Sequence, residues 1–221
     1  MGIYDLILYQ DDSLIVLNKP SGLRTIPDGY DPTKENLYAI LKITFPELMV
    51  VHRLDKETSG VIIFARSREA HKHLNKQFEK RLVKKNYVAI THNIPEWVEY
   101  TCSLSLLVNG DRRHRTVINP SGKRSETYFV KSTEDNTKNL SEIKAYPHSG
   151  YTHQIRSHLN HSGFPILGDP LYNKNLSESQ ITFNKTCSRM MLHAESIEFS
   201  HPESNIQLII SAKPPFSLAT I

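Results

Sequence analysis

From Val61 to Ala65 the chain is uninterrupted apolar sequence, Val-Ile-Ile-Phe-Ala, rich in β-branched residues. A run of this length and kind reads as a strand buried on both faces. Val50 and Val51 form a second apolar piece a little earlier, read the same way. Between them lies His52-Arg53-Leu54-Asp55-Lys56-Glu57-Thr58-Ser59-Gly60. A polar segment is thus wedged between two hydrophobic pieces and held by buried backbone. Asp55 has Arg53 and Lys56 as close neighbours, and Thr58-Ser59-Gly60 are small residues suited to a tight turn. A carboxylate on such a turn, at the mouth of a sheet, is both rigid and exposed. For an arbitrary Arg-x-Asp a charged hairpin connection is the ordinary reading. This segment is too long and too mixed in character for that.

His-Arg-Leu-Asp-x-x-Thr-Ser-Gly resembles the signature of the RluA family of pseudouridine synthases, with Asp55 at the position of the catalytic aspartate. Asn18-Lys19-Pro20-Ser21-Gly22-Leu23 resembles the first motif of that family. Lys85-Asn86-Tyr87 resembles the second, with Tyr87 at its aromatic position. Gly150-Tyr151-Thr152-His153-Gln154-Ile155-Arg156 resembles the motif Gly-Arg-Thr-His-Gln-Ile-Arg, departing from it at Tyr151. Gly163 to Tyr172 again follows the family, and the likeness runs from about residue 14 to 215. The resemblance implies a mixed α/β (α+β) pseudouridine synthase fold: a largely antiparallel sheet, flanking helices and a central cleft. It implies one catalytic domain over residues 1–221, in two halves, without the separate N-terminal RNA-binding domain of many relatives. It further implies that Arg156 pairs with Asp55, that Tyr87 serves the uracil, and that Arg53 fills the space left by a flipped nucleotide, with His52 beside it grouped among the RNA contacts.

Composition sets bounds without choosing a function. A chain of 221 residues with 38% hydrophobic and 23% charged residues suits a globular protein, and its net charge of +4 is compatible with a polyanionic partner. No apolar run reaches the length of a membrane span, and the N-terminus lacks a signal-peptide pattern. Cys102 and Cys187 form no metal spacing and read as reduced thiols, so a cytoplasmic location is expected. No metal, organic cofactor or obligate protein partner is expected.

Along the chain, 7–9 and 14–17 read as a hairpin closed by Lys19-Pro20-Ser21-Gly22. Thr33 is placed to cap a helix with Leu37, Ile40 and Leu41 on its apolar face. Ser67 is placed to cap another, with Ala70, Leu74 and Phe78 buried and Arg68, Lys72, Lys76, Lys80 and Arg81 outside. Residues 108–124 read as a long hairpin excursion with a basic tip, where Arg112, Arg113, Arg115, Lys123 and Arg124 suit phosphate contacts. Thr152 is placed to cap a helix that buries Ile155 and Leu159, turns Arg156 away from that face, and ends at Gly163. His153, His158 and His161 suit its polar surface. Residues 173–188 read as irregular or briefly helical, and 191–194 with 206–211 as a closing strand pair.

Turning uridine into pseudouridine breaks the bond from ribose to N1 and joins the ribose to C5. It calls for an ionised carboxylate, a detached and rotated base, and a nucleotide drawn out of its stack. A cation beside Asp55 offsets the rise in pKa that burial alone would cause. The expected substrate is structured RNA, a tRNA anticodon loop or a large-subunit rRNA stem-loop. The competing readings are an inactive RNA-binding protein on the same scaffold, and an aspartate-dependent hydrolase that releases uracil.

Overall fold

Ser59–Ala65 is buried at every position, as its apolar run requires, and two neighbouring elements cover its edges. The computed structural model describes residues 2–29, 31–173 and 176–221. In chain order the first elements are β1 (Ile7–Gln10), β2 (Leu14–Lys19), α1 (Leu37–Thr44), β3 (Met49–Val50), β4 (Ser59–Ala65) and α2 (Arg68–Glu79). Next come β5 (Lys84–His92), β6 (Glu99–Cys102), β7 (Ser105–Leu107), β8 (Val117–Ile118), β9 (Lys123–Arg124), β10 (Thr127–Asp135) and β11 (Leu140–Pro147). The last are α3 (Gln154–His161), α4 (Glu178–Thr186), β12 (Leu192–Ser200) and β13 (Gln207–Ser211). This is the mixed α/β architecture with a mostly antiparallel sheet that the sequence predicts. Among the described residues no helix is long and apolar enough to cross a membrane.

The chain divides into two compact units, residues 1–85 with 194–213 and residues 86–193 with 214–221. In the first, β2 pairs antiparallel with β1 and β4, and β3 pairs with the far end of β4, Val50 opposite Phe64. The polar nonapeptide therefore links two paired strands. Its leading side is less buried than predicted: β3 is Met49–Val50, offset by one from the expected Val50–Val51 and half-buried, because it lies at the margin of the sheet. Leu14, Val16, Val61, Ile63, Ala65, Ala70, Leu74 and Phe199 pack into one core. Ser67 caps α2 as predicted, its Oγ accepting from the Ala70 N–H at 3.1 Å. Gln77, also buried, uses its amide like a piece of strand, bonding both the N–H and the carbonyl of Ser200 at 2.8 Å. The cap of α1 is Asn36, whose Oδ1 accepts from Ala39 N–H at 2.9 Å; Thr33 instead closes a turn on Asp31. Gly60 has φ +112°, and a Cβ there would lie 2.2 Å from the Ala194 carbonyl oxygen. Any side chain at this position would be strained by its backbone and blocked by β12.

In the second unit β5, β11, β10 and β6 are neighbours in that order, all antiparallel. Phe129, Ile143, Ala145, Ile155, Leu159 and Ile166 form its core, with Tyr87 packed at its margin. The excursion at 108–124 is a small three-stranded sheet in the order β8-β7-β9, where a long hairpin was expected. The pairing of β7 with β9 splits the predicted hairpin and leaves residues 108–116 as the connection from β7 to β8. Residues 178–186 form a full helix, α4, started by a reciprocal Ser177–Gln180 cap. Lys174 and Asn175, within the stretch read as irregular, lie outside the described residues, as does Tyr30 in the loop read at 24–32. β12 and β13 pair as the predicted closing strands.

Helix α3 is where local reading fails most. Its first boundary is set by His153 in the left-handed conformation, φ 56°, with no side-chain cap, so Thr152 does not cap it. Its end follows expectation: Gly163 has φ +90°, its N–H reaches the Asn160 carbonyl, and the Phe164 N–H reaches that of Leu159. Six successive residues, Gln154 to Leu159, are buried. Hence Arg156 and His158 belong to the interior and not to a polar surface. Gln154 donates to the Glu126 carbonyl and Thr127 Oγ1 and accepts from Ser149 Oγ and the Tyr151 N–H. The Thr127 hydroxyl, already accepting from Gln154, is left to donate to His158 Nδ1 at 3.0 Å. Ser125 Oγ donates to the Leu104 carbonyl and accepts from His158 Nε2–H at 3.0 Å. These roles specify a neutral imidazole with its proton on Nε2. Burial, helped by the nearby His161, lowers the His158 pKa from 6.5 to about 4. Between those values the unfolded chain takes a proton that the folded protein refuses. The contribution of His158 is therefore full above pH 6.5 and declines as pH falls toward 4. His158→Asn is expected to lower stability at pH 7.5 by about 2 kcal/mol. Yet it should flatten the fall in stability between pH 6.5 and pH 4, by up to about 1.4 kcal/mol per pH unit. Urea titrations across that range measure both, and an unchanged slope in the variant would contradict the assignment.

Candidate active site

In the first unit the candidate residues are arranged around a buried ammonium. Lys19 ends β2, opposite Gly60 in the ladder, with no exposed surface. Its Nζ donates to the carbonyls of Pro20 at 2.8 Å, Leu23 at 2.7 Å and Lys56 at 3.2 Å. A lysine is buried only where its charge is met in this way. Two separate loops are thereby drawn onto one charge: the Pro-Ser-Gly turn after β2 and the Asp55 segment. Further bonds tie the same two loops. Ser21 Oγ donates to the Glu57 carbonyl at 2.7 Å, and the Gly22 N–H to that of Lys56 at 2.9 Å. Thr25 Oγ1 accepts from the Leu54 N–H at 3.1 Å and donates to the Leu54 carbonyl at 2.8 Å.

Asp55 sits at the crest of this segment. Leu54 before it is buried, and its own carbonyl accepts from the Thr58 N–H at 3.2 Å to close the turn. The side chain is half-buried and Arg53 is exposed. His52 faces inward: its Nε2 accepts from the Ile63 N–H at 3.0 Å, and its ring stacks on Phe78 with centroids 4.8 Å apart. Burial, with the charge of Lys85 adding to it, lowers the His52 pKa to about 3. His52 is therefore a neutral framework group, which separates it from the cationic contacts grouped with it on sequence. Lys85 itself is held down to about 8, by burial first and then by Arg81.

In the second unit Tyr87 lies on β5 opposite Ala145, half-buried. Arg156 is 2% exposed and meets Asp169 in a two-pronged pair, Nε to Oδ2 at 2.8 Å and Nη2 to Oδ1 at 2.9 Å. Asp169 is fully buried, and its Oδ1 also accepts from the N–H groups of Leu171 and Tyr172. The guanidinium carbon lies 5.1 Å from the centroid of the Tyr172 ring. The sequence resemblance pairs Arg156 with Asp55 and gives no hint of Asp169 or Tyr172, although both stand in the family-like stretch 163–172. The signal was there in Gly168-Asp169-Pro170, an acidic residue in a turn just past a helix that carries an arginine.

The cations of the excursion divide into two sets. Arg112, Arg113, Lys123 and Arg124 are exposed. Arg115 is turned inward: Nε bonds Asp111 Oδ2 at 2.7 Å, and Nη1 the Leu171 carbonyl at 3.2 Å. Lys123 Nζ lies 5.8 Å from the centroid of Tyr151, the residue at which the chain departs from the family pattern. Among the described residues no group of three His, Cys, Asp or Glu side chains is arranged to hold a metal ion.

Asp55 on its braced turn, Tyr87 on β5 and Arg156 in its pair with Asp169 are the three positions where the sequence leads one to expect the chemistry. Residues 13–161 match the family model for RNA pseudouridylate synthase, so the chain belongs to that family. Within it the chain is of the RluA kind, an isomerase that converts uridine in RNA to pseudouridine. It is 37% identical to the ribosomal large subunit pseudouridine synthase C of Buchnera aphidicola subsp. Baizongia pistaciae, across 98% of this chain and 69% of that one. It is 34% identical to the dual-specificity RNA pseudouridine synthase RluA of Escherichia coli K12, across 96% and 94%. The structure of human RNA pseudouridylate synthase domain containing 1 matches with a TM-score of 0.81 at 26% identity, covering 97% of this chain and 85% of that one.

The Lys19 hub makes a definite prediction. Lys19→Met keeps the length of the side chain and removes three charge-assisted bonds, so stability should fall by about 3 kcal/mol or more. Amide exchange at Gly22 and Thr58, whose N–H groups close the two loops, should rise beyond the global change. A loss under about 1 kcal/mol with unchanged exchange would show that the ammonium does not organise them.

Proposed function

We propose that Asp55 is the catalytic carboxylate of this isomerase, with Tyr87 and Arg156 as its partners, and that the substrate is a compact RNA stem-loop. The observation that carries the reading is the bracing of Asp55: every backbone group from Leu54 to Glu57 that reaches Lys19, Ser21, Gly22 or Thr25 fixes the turn while leaving the carboxylate at its crest. In the reaction the N1–ribose bond breaks, uracil turns, and ribose carbon joins C5. The C5 hydrogen leaves as a proton and N1 takes one up. Tyr87 supplies an aromatic face and a phenol for the turning base. Following the family pattern, Arg156 is the cation assigned to keep Asp55 ionised, and the Asp169 clamp supports this by fixing the plane of the guanidinium. Arg53 fills the space that the flipped nucleotide vacates.

The relatives act, by name, on the ribosomal large subunit or with dual specificity on RNA. We assign this chain a uridine in a tRNA anticodon loop or a large-subunit rRNA stem-loop. The exposed cations Arg112, Arg113, Lys123 and Arg124 form a modest footprint that suits a short stem-loop. His52 contributes by holding the motif in shape.

Asp55→Asn should abolish isomerisation and leave binding of the stem-loop within about twofold, since the amide keeps the shape without the charge. Tritium placed at C5 of the uridine appears in water as the reaction proceeds, and a wild-type rate of release from the Asn variant would remove Asp55 from the mechanism. Assaying free uracil in the same reactions separates isomerase from hydrolase. Replacing Arg112 and Arg113 by Ala should weaken binding of an anticodon stem-loop and flatten log K against log salt by about 0.7–0.9 per lost phosphate contact. The saturating rate should change little. Wild-type affinity and slope in that variant would place the RNA elsewhere.

A further inference from the structure

The stretch Asp169-Pro170-Leu171-Tyr172 touches two things at once: the Arg156 guanidinium and the basic tip at 111–116. On one side Asp169 clamps Arg156, and the buried Tyr172 ring lies 5.1 Å from its guanidinium carbon. On the other side the same ring lies 5.8 Å from the guanidinium carbon of Arg115. The Tyr172 hydroxyl donates to the Thr116 carbonyl and accepts from the Thr116 N–H, both at 2.9 Å. Arg115 Nη1 reaches the Leu171 carbonyl at 3.2 Å, and Arg113 Nη2 that of Pro170 at 3.3 Å. Asp111 closes the tip on itself by accepting from Arg115 Nε and from the N–H groups of Arg113 and Arg115. A hydroxyl that takes both polar groups of one residue acts as a clamp, and a desolvated ring holds cations most firmly.

We propose that Tyr172 is a positioning residue that locks the basic tip to the Arg156 guanidinium. Arg115 is then the anchor of the tip and not one of its RNA contacts. Arg112 and Arg113 meet phosphate from a base already fixed with respect to Arg156, so no ordering of the tip is deferred to RNA binding. The inference rests on the functional reading in one respect, the use of Arg156 in the reaction. The hydroxyl and the ring have separable duties. The hydroxyl holds the tip, and the ring holds the guanidinium.

Tyr172→Phe keeps the ring and releases Thr116. It should speed tryptic cleavage after Arg112 and Arg113 several-fold and weaken binding of an anticodon stem-loop by about fivefold. Its single-turnover rate at saturating RNA should stay within about twofold of wild type. Tyr172→Leu removes both duties and should in addition slow the saturating single-turnover step by about tenfold or more. A purely structural role would lower the melting temperature without this division between binding and rate. Wild-type cleavage and affinity in the Phe variant would overturn the lock, as would a wild-type saturating rate in the Leu variant. If the Leu variant does not fold, Arg115→Ala supplies the second arm. Its effect on affinity and that of Tyr172→Phe should be less than additive, because both loosen one tip, and strict additivity would overturn the proposal. The tryptic measurement needs no activity. Failure of the wild-type chain to form pseudouridine would therefore count against the functional reading alone, with the lock still decided by cleavage.

Discussion

The buried Lys19 ammonium is the interaction on which the first unit depends. Three residues of the Asp55 segment, Leu54, Lys56 and Glu57, are bonded by Lys19 or by the loop that follows it, although Lys19 is remote from Asp55 in sequence. Its placement also explains why an apolar strand ends in a lysine. β2 runs out of sheet where three carbonyls converge, and a cation is the one common side chain that can satisfy all three. The framework thus converts the motif Asn-Lys-Pro-x-Gly-Leu from a turn signal into a brace for a distant carboxylate.

The second unit solves a different problem with a different device. A buried arginine needs its charge met by partners that are themselves supported. Asp169 takes one edge of the Arg156 guanidinium, Nε and Nη2, and Tyr172 takes a face. Asp169 in turn is spread over two backbone N–H groups besides the arginine. Buried charge is kept in balance by a chain of partners, each of which is itself supported.

Much of this could be read from the sequence, and what could not has a physical cause. The β4 strand, the Ser67 cap and the Gly163 stop are local events, each set by a few adjacent residues. Asp55, Tyr87 and Arg156 stand out in the sequence through motifs, but their surroundings do not, because those come from residues remote in sequence. Helix α3 illustrates the limit. Its apolar periodicity marks one buried face, yet Arg156 and His158 are buried too, each met by a partner outside the helix. Polar side chains that are fully satisfied look, in sequence, like a solvated surface. Arg115 misleads in the same way: it stands among exposed cations, and only Asp111, Leu171 and Tyr172 show that it points inward.

Gly60 closes the Asp55 turn against the backbone of β12. That contact behaves as a ruler. Insertion or deletion of one residue between Asp55 and Gly60 would bring a side chain to the place where only hydrogen fits, and would turn the strand that follows inside out. The spacing from Asp55 to the sheet is therefore held fixed by backbone packing. A change in length in the connection at 108–116 or around α4 lies outside that contact and would leave the Asp55 turn in place.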